Sequence, residues 1–245
     1  MFKVVVPARF ASTRLPGKPL QDIAGVPMVI RVAQQAQKSL SSEVVIATDH
    51  EDILQVAQSH GVRALMTRAD HVSGTDRIAE VATRMAWPDE MIVVNVQGDE
   101  PLIDPALINE VAQTLADDTQ AVMSTACHPI DSNDLLENPN VVKVVLNAKQ
   151  QALYFSRAAI PFPRDAAQRQ GFSAQRHIGI YAYRVGFLKQ YAHLPVTALE
   201  QIESLEQLRV LYHGFQIAVT ITPHAPASGV DTPEDLALVR QLFSD

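Results

Sequence analysis

Cysteine is almost missing from this chain: Cys127 stands alone among 245 residues. An intrachain disulfide is thereby excluded, and a lone thiol fits a reducing cytoplasm. Its setting in the apolar run AVMSTAC favours a quiet core thiol over a nucleophile. No apolar run approaches the roughly 20 residues of a membrane-spanning helix, so no membrane insertion is expected. The opening MFKVVV turns to proline and arginine before any long apolar stretch, and no signal peptide is expected. Cations are outnumbered, with 20 Lys and Arg against 27 Asp and Glu and a net charge of −7. That balance argues against a general nucleic-acid binder, so any polyanion has to be met by a local basic patch. The eight histidines include no HExxH pair and no cluster with cysteine, which makes a structural zinc unexpected. Two common phosphate loops are absent as well. There is no GxGxxG, and around Gly17 and Lys18 a Walker A loop fails because Ser12 stands for its first glycine and Pro19 for its Ser/Thr. Neither an internal repeat nor a low-complexity segment is present.

What the chain does contain is an alternation. The runs FKVVVP, EVVIAT, VRALM and MIVVNVQ are each followed by a helical pattern: PMVIRVAQQAQ, EDILQVAQSHG, SGTDRIAEVATRMA and DPALINEVAQTL. The short runs lack period-two alternation, as strands buried on both faces do. Four βα units predict an α/β fold with a parallel sheet flanked by helices. After about residue 120 the pattern changes. VVKVVL and ALYFS read as a hairpin joined by NAKQQ, and RHIGIYAYR as another strand. ESLEQLRVLYHG reads as a helix ended by Gly214, FQIAVTITP as a late strand, and TPEDLALVRQLF as a C-terminal helix with Thr232 before Pro233. The polar stretch PFPRDAAQRQGFSAQ is expected to be a mobile loop. We expect one domain over 1–245: a βα core at 1–120, a mixed portion at about 121–222, and a loop with a C-terminal helix at 223–245.

The first 42 residues hold six Lys and Arg against one acid, Asp22. Three of those cations, Arg9, Arg14 and Lys18, fall in PARFASTRLPGKPL, directly after the first strand. In an open parallel sheet ligands collect at the carboxyl ends of the strands. Arginine offers a planar donor fork and lysine a compact charge, and proline and glycine lower the entropy of holding them together. A triphosphate fits this loop; a solvated basic turn is the alternative reading. VNVQGDEPLI places Asp99 and Glu100 at the same edge. A carboxylate facing a phosphate loop suggests Mg²⁺, although Gly-Asp-Glu-Pro is also a good turn. In GVDTPEDL, helix-start chemistry accounts for Glu234 and Asp235 and leaves Asp231 unexplained. HVSGTDRI reads as a helix start capped by Ser73 or Thr75, with Gly74 allowing close approach to the backbone. A histidine in an apolar strand, such as His177, is more often a satisfied core residue than a catalyst.

Together these segments closely resemble the 3-deoxy-manno-octulosonate cytidylyltransferases, also called CMP-Kdo synthetases. The chain carries PARFASTRLPGKPL, IATDH, TRADHVSGTDR, VNVQGDEP, NPNVVKVV, YFSRAAIP, RHIGIYAYR, LEQLR and GVDTPEDL in the family's order. Ile46 stands where valine is common, and Phe10 where the pattern varies. The resemblance implies a nucleotide-diphospho-sugar transferase-like (Rossmann-like) fold, with a mostly parallel sheet and an inserted antiparallel portion. It implies that CTP and 3-deoxy-manno-octulosonate (Kdo) give CMP-Kdo and pyrophosphate in the supply of lipopolysaccharide, in a cytoplasmic homodimer. By the same resemblance Arg9, Ser12, Arg14 and Lys18 would cradle the triphosphate, and Ala8, Arg68, Ser73 and Gln97 would surround cytidine. Asp99 and Asp231 would hold Mg²⁺; with Arg14 and Lys18 they form the expected catalytic set. Arg157, His177, Tyr183, Glu206 and Gln207 would line the sugar-acid pocket, with Arg157 first and His177 second as partners of its carboxylate. A CMP-sialate synthetase and a non-catalytic nucleotide sensor on the same scaffold are the rivals. The sensor would have no need of two acids converging from residues 99 and 231.

Overall fold

The computed structural model describes residues 1–11, 15–71, 73–165, 173–223, 225–227 and 229–243. The βα alternation is present as expected. β1 (Phe2–Ala8) runs through the basic loop, a 3-10 turn at Lys18–Leu20 and a small hairpin, β2 (Asp22–Ile23) and β3 (Val26–Pro27), into α1 (Met28–Gln37). Then follow β4 (Val44–Thr48), α2 (Glu51–Ser59), β5 (Arg63–Met66), α3 (Gly74–Arg84), β6 (Ile92–Asn95) and α4 (Pro105–Asp117). β1 pairs in parallel with β4 and β6, and β4 with β5. Val4, Val5 and Val6 are all fully buried, one side chain above the sheet and the next below it. Burial on both faces is why the run is continuous and not alternating.

The second half comprises β7 (Ala121–Pro129), α5 (Asn133–Glu137), β8 (Lys143–Leu146), β9 (Ala152–Ser156), β10 (Gln175–Arg184), α6 (Val185–Tyr191), α7 (Ala198–Glu203), α8 (Gln207–Tyr212), β11 (Gln216–Ile221) and α9 (Pro233–Leu242). Among the described residues one sheet follows the path β11-β7-β10-β6-β1-β4-β5, with β8 branching from β10 and β9 beyond it. β10 runs antiparallel to both β6 and β7. Its start, Gln175 and Arg176, pairs with β8, and its end, Tyr181–Arg184, pairs with β6. The sheet therefore forks beside residues 177–180, where the β7 pairing also shifts register. The predicted hairpin of β8 and β9 is formed. Cys127 is fully buried, and burial pushes its thiol up to about 12, which leaves it inert.

Three expectations are corrected or fall outside view. The helix read across ESLEQLRVLYHG is shorter than expected: Glu203 closes α7, Ser204 turns the chain with a left-handed φ of 52°, and α8 begins only at Gln207. That turn sets Gln207 into the interior, 4% exposed, where a continuous helix would have kept the stretch on one axis. The segment around Cys127, read only as an apolar run, is the long strand β7; a central strand covered on both faces carries no alternation to betray it. Of the stretch read as a mobile loop, residues 166–172 lie outside the described residues, and Gln175 already belongs to β10.

At the carboxyl edge of the sheet one contact sets the spacing. A Cβ on Gly98 would lie 2.7 Å from the carbonyl oxygen of Pro7, so the turn after β6 packs directly on the end of β1. Gly98→Ala has to separate these backbones. We expect it to destabilise the fold by about 1–3 kcal/mol, read as a lower midpoint in thermal unfolding. An unchanged midpoint would contradict the close approach.

Candidate active site

A cleft of about 420 Å³ opens at this edge, lined by Pro7, Ala8, Arg9, Ala11, Lys18, Pro19, Gly74, Gln97, Gly98, Asp99 and Asp231. At its base the Lys18 ammonium donates to Asp99 Oδ2 at 2.6 Å and to Asp231 Oδ1 at 3.0 Å. Each partner is fixed by local structure. Lys18 opens the 3-10 turn after Gly17, whose φ of 62° is the left-handed conformation that glycine adopts without strain. Asp99 follows Gly98 in a turn closed by Glu100 N–H donating to Gln97 O, and Val230 N–H donates to Asp99 O at 2.8 Å. Asp231 precedes a capping box: Thr232 Oγ1 accepts from Asp235 N–H, and Asp235 Oδ2 accepts from the N–H groups of both Thr232 and Asp231. The cap thus holds the backbone of Asp231 as well as the helix start.

Glu100 behaves differently from its neighbour. The residue is half-buried, and its Oε2 is buried with no hydrogen-bond partner among the described residues. Loss of solvent, and then the Asp99 charge, push its carboxyl up to about 8, so it is mainly uncharged at pH 7.

Ala8, Arg9, Lys18, Gln97, Asp99 and Asp231 are thus brought together as the sequence suggested. Arg9 reaches across the cleft to donate to His71 O at 2.7 Å, and Gln97 Nε2 donates to Gly179 O at 3.2 Å, on the fork of the sheet. Ser73 lies beside the cleft as the N-cap of α3, in a capping box with Asp76. Arg68 is not brought in. It is exposed, forms a two-pronged pair with Asp70, and lines a separate hollow with His71, Glu80 and Lys189. Ser12 and Arg14 lie outside the described residues.

A second group adjoins the first through Thr75, one residue beyond Gly74. Its hydroxyl lies 3.3 Å from both Tyr183 Oη and Glu206 Oε2. Desolvation of its carboxyl raises Glu206 from its ordinary value, although the residue as a whole is exposed, and burial raises the Tyr183 phenol well above its own. Gln207 Nε2 and Asn95 Oδ1 are buried and have no partner among the described residues. Asn95 was not singled out in the sequence, although a polar residue inside the apolar run VVNV was the available signal. Thr125 was also missed. Its single hydroxyl proton is directed at the carbonyls of Ile178 and Ile180, so His177 Nε2, 2.9 Å away, has to be the donor between them. Nδ1 is then the acceptor nitrogen of the ring. Desolvation drives His177 down to about 3, which leaves its ring neutral at pH 7. Arg157 donates through Nε to Glu203 O and through Nη1 to Pro139 O. The Glu203 carboxylate accepts from Ser156 Oγ and from Arg157 N–H, not from the Arg157 guanidinium.

A nucleotide-sized cleft at the carboxyl edge of a mostly parallel sheet, with a lysine and two converging aspartates, defines a nucleotidyltransferase-type α/β protein, and the cytidylyltransferase family model matches residues 3–219. The chain belongs to the 3-deoxy-manno-octulosonate cytidylyltransferases. It is 55% identical to that enzyme from Herminiimonas arsenicoxydans, over 99% of both chains. The same enzyme from Polynucleobacter necessarius subsp. necessarius (strain STIR1) is 56% identical, over 99% of this chain and 96% of the other. A solved CMP:2-keto-3-deoxy-manno-octonic acid synthetase, complexed with CTP, superposes with a TM-score of 0.92 at 44% identity, covering 100% of this chain and 99% of that one.

The desolvated imidazole of His177 gives a pH dependence. An unfolded chain binds a proton at His177 below about pH 6.5, whereas the folded one does so only near 3. Stability is therefore complete above pH 6.5 and falls as the pH is lowered towards 3. His128, whose pKa burial also lowers, adds in the same direction. His177→Gln should reduce the loss between pH 7 and pH 4 in denaturant titrations. Equal losses in the two proteins would place the acid sensitivity elsewhere.

Proposed function

We propose that this cleft joins CTP to 3-deoxy-manno-octulosonate, giving the CMP-sugar and pyrophosphate, by in-line attack of the anomeric hydroxyl on the α-phosphorus. The observation that carries the reading is the meeting of Asp99 and Asp231, from distant parts of the chain, on one cation in the cleft. Reactions of this kind rest on positioning and charge neutralisation more than on covalent help from the protein.

Two carboxylates converging on one positive charge also form a donor set that suits Mg²⁺, a hard ion shared between one or two carboxylates and phosphate oxygens. Asp99 and Asp231 would hold it. Mg²⁺ bound there would neutralise charge on the triphosphate as a Lewis acid. The chain's own residues do the remainder. Lys18 and Arg9, on the loop after β1, meet the phosphates, and Lys18 is placed where charge collects on the departing pyrophosphate. Ala8 and Gly74 leave room for close approach of the nucleotide, and Gln97 joins the nucleotide half to the fork at Gly179.

On the sugar side, Arg157 carries a charge whose recorded acceptors are carbonyl oxygens, so it can answer the substrate carboxylate. His177 Nδ1, Tyr183, Glu206 and Gln207 are fitted to the hydroxyls of an uncharged polyol face. This divides labour along the chain: 1–120 for the nucleotide, about 121–222 for the sugar and for dimer contact, and 223–245 for the second metal ligand. Leu153, Val196, Leu199, Ile202 and Tyr212, all exposed in the middle portion, supply apolar surface for the second copy in a homodimer. Among the described residues no helix is long and apolar enough to cross a membrane, and the proposed role is that of a cytoplasmic supplier of activated sugar for lipopolysaccharide.

Asp99→Asn and Asp231→Asn should each abolish turnover, measured as pyrophosphate release, while circular dichroism stays unchanged. Near-full Mg²⁺-dependent turnover in either variant would sink the metal assignment. Lys18→Ala should raise KM for CTP far more than KM for the sugar; an unmoved CTP response would remove Lys18 from the triphosphate site.

A further inference from the structure

The reaction outlined above makes no use of Arg77, yet it is fully buried within α3, behind the wall of the cleft. Its Nη2 donates to Asp49 Oδ2 at 2.7 Å and its Nη1 to Thr67 Oγ1 at 2.5 Å, while Nε has no partner among the described residues. A buried guanidinium with a donor unmet is costly to keep, and mere filling of the core would be served better by an apolar side chain. What the pair joins is informative. Thr67 is tied to Thr48 O through both its N–H and its hydroxyl, so Arg77 links the loops after β4 and β5 to the start of α3. Asp49 faces the basic loop: its other oxygen, Oδ1, lies 3.4 Å from Phe10 N. Next to it, His50 stacks its ring on Phe10 with centroids 3.9 Å apart and planes 13° from parallel. His50 is itself held as the N-cap of α2, accepting from Asp52 N–H. The edge of Phe10 in turn lies against Gly17, where a Cβ would be 3.8 Å from Cε2. A continuous path thus leads from Arg77 through Asp49, His50 and Phe10 to both ends of the loop bearing Arg9 and Lys18.

We propose that Arg77 and Asp49 are positioning residues for CTP: their buried pair anchors the phosphate loop at Phe10 and cancels the Asp49 charge beside it. This rests on the reading of the loop as a triphosphate cradle. Without Arg77, an uncompensated carboxylate would stand next to the incoming polyanion, and the loop would lose its fixed base. The sugar side, which meets none of these groups, should not notice.

The test is the double variant Asp49→Asn with Arg77→Met, which removes both charges together and avoids stranding one in the interior. We expect a melting temperature near wild type, KM for CTP raised by about tenfold or more, and KM for Kdo within about twofold. Phe10→Leu, which breaks the stack without touching the buried pair, should shift the same parameter in the same direction, and it decides the matter if the double variant does not fold. Arg77→Lys, keeping the charge, should recover part of the CTP response. A CTP KM that stays at the wild-type value in folded variants, or two KM values that rise together, overturns the proposal. Absence of turnover in the wild-type protein would instead overturn the underlying reading, so the two failures are told apart.

Discussion

Two carboxylates brought side by side in a cleft repel each other until a cation comes between them, and much of this molecule answers to that constraint. At about 4 Å and an effective dielectric near 20 the repulsion is roughly 4 kcal/mol. Lys18 supplies the positive charge. Bringing it there takes a left-handed glycine and a 3-10 turn, while Asp99 is held by a glycine turn seated on Pro7 and Asp231 by the cap of α9. The backbone bond from Val230 to Asp99 joins the two acid-bearing segments directly. A third acid at the same spot gives way: Glu100 keeps its proton, because burial and the charge on Asp99 both oppose ionisation.

The two halves of the proposed site would recognise their ligands by different physics. The nucleotide half is open and charged, with Arg9 and Lys18 facing a space in which phosphates would accumulate negative charge. On the proposed sugar side the charge of Arg157 stands among groups that offer hydrogen bonds. His177 is uncharged, the carboxyl of Glu206 is shifted upwards, and the tyrosines keep their protons. Selectivity there would come from the directions of hydrogen bonds and the cost of leaving Asn95 Oδ1 or Gln207 Nε2 unpaired.

Much of this was legible in the sequence, for identifiable reasons. Doubly buried strands leave uninterrupted valines, and amphipathic helices leave a 3.6-residue period, so the four βα units could be read directly. Asp231 could be separated from Asp235 because capping chemistry accounts for the one and not the other. What stayed hidden depends on tertiary contacts. The tautomer of His177 is dictated by Thr125 on a different strand, and the exclusion of Arg68 by its pairing with Asp70. The break at Ser204 carries no glycine or proline to announce it, since serine in the left-handed region has no sequence signal. Family motifs placed Arg68 at the base of the nucleotide; side-chain pairing in this structure places it in a separate hollow.

The reversal at β10 also bears on how the molecule comes into being. During synthesis β6 and β7 leave the ribosome well before residues 175–184, and β10 is the strand that lies between them. Until it arrives, each has an open edge of unpaired peptide groups facing the other across a gap one strand wide. Such edges are templates for pairing with a neighbouring chain, and closing them requires contacts far apart in sequence, which form slowly. The sheet is completed by the strand that also carries His177 and Tyr183. A nascent chain therefore closes both of these edges in a single step.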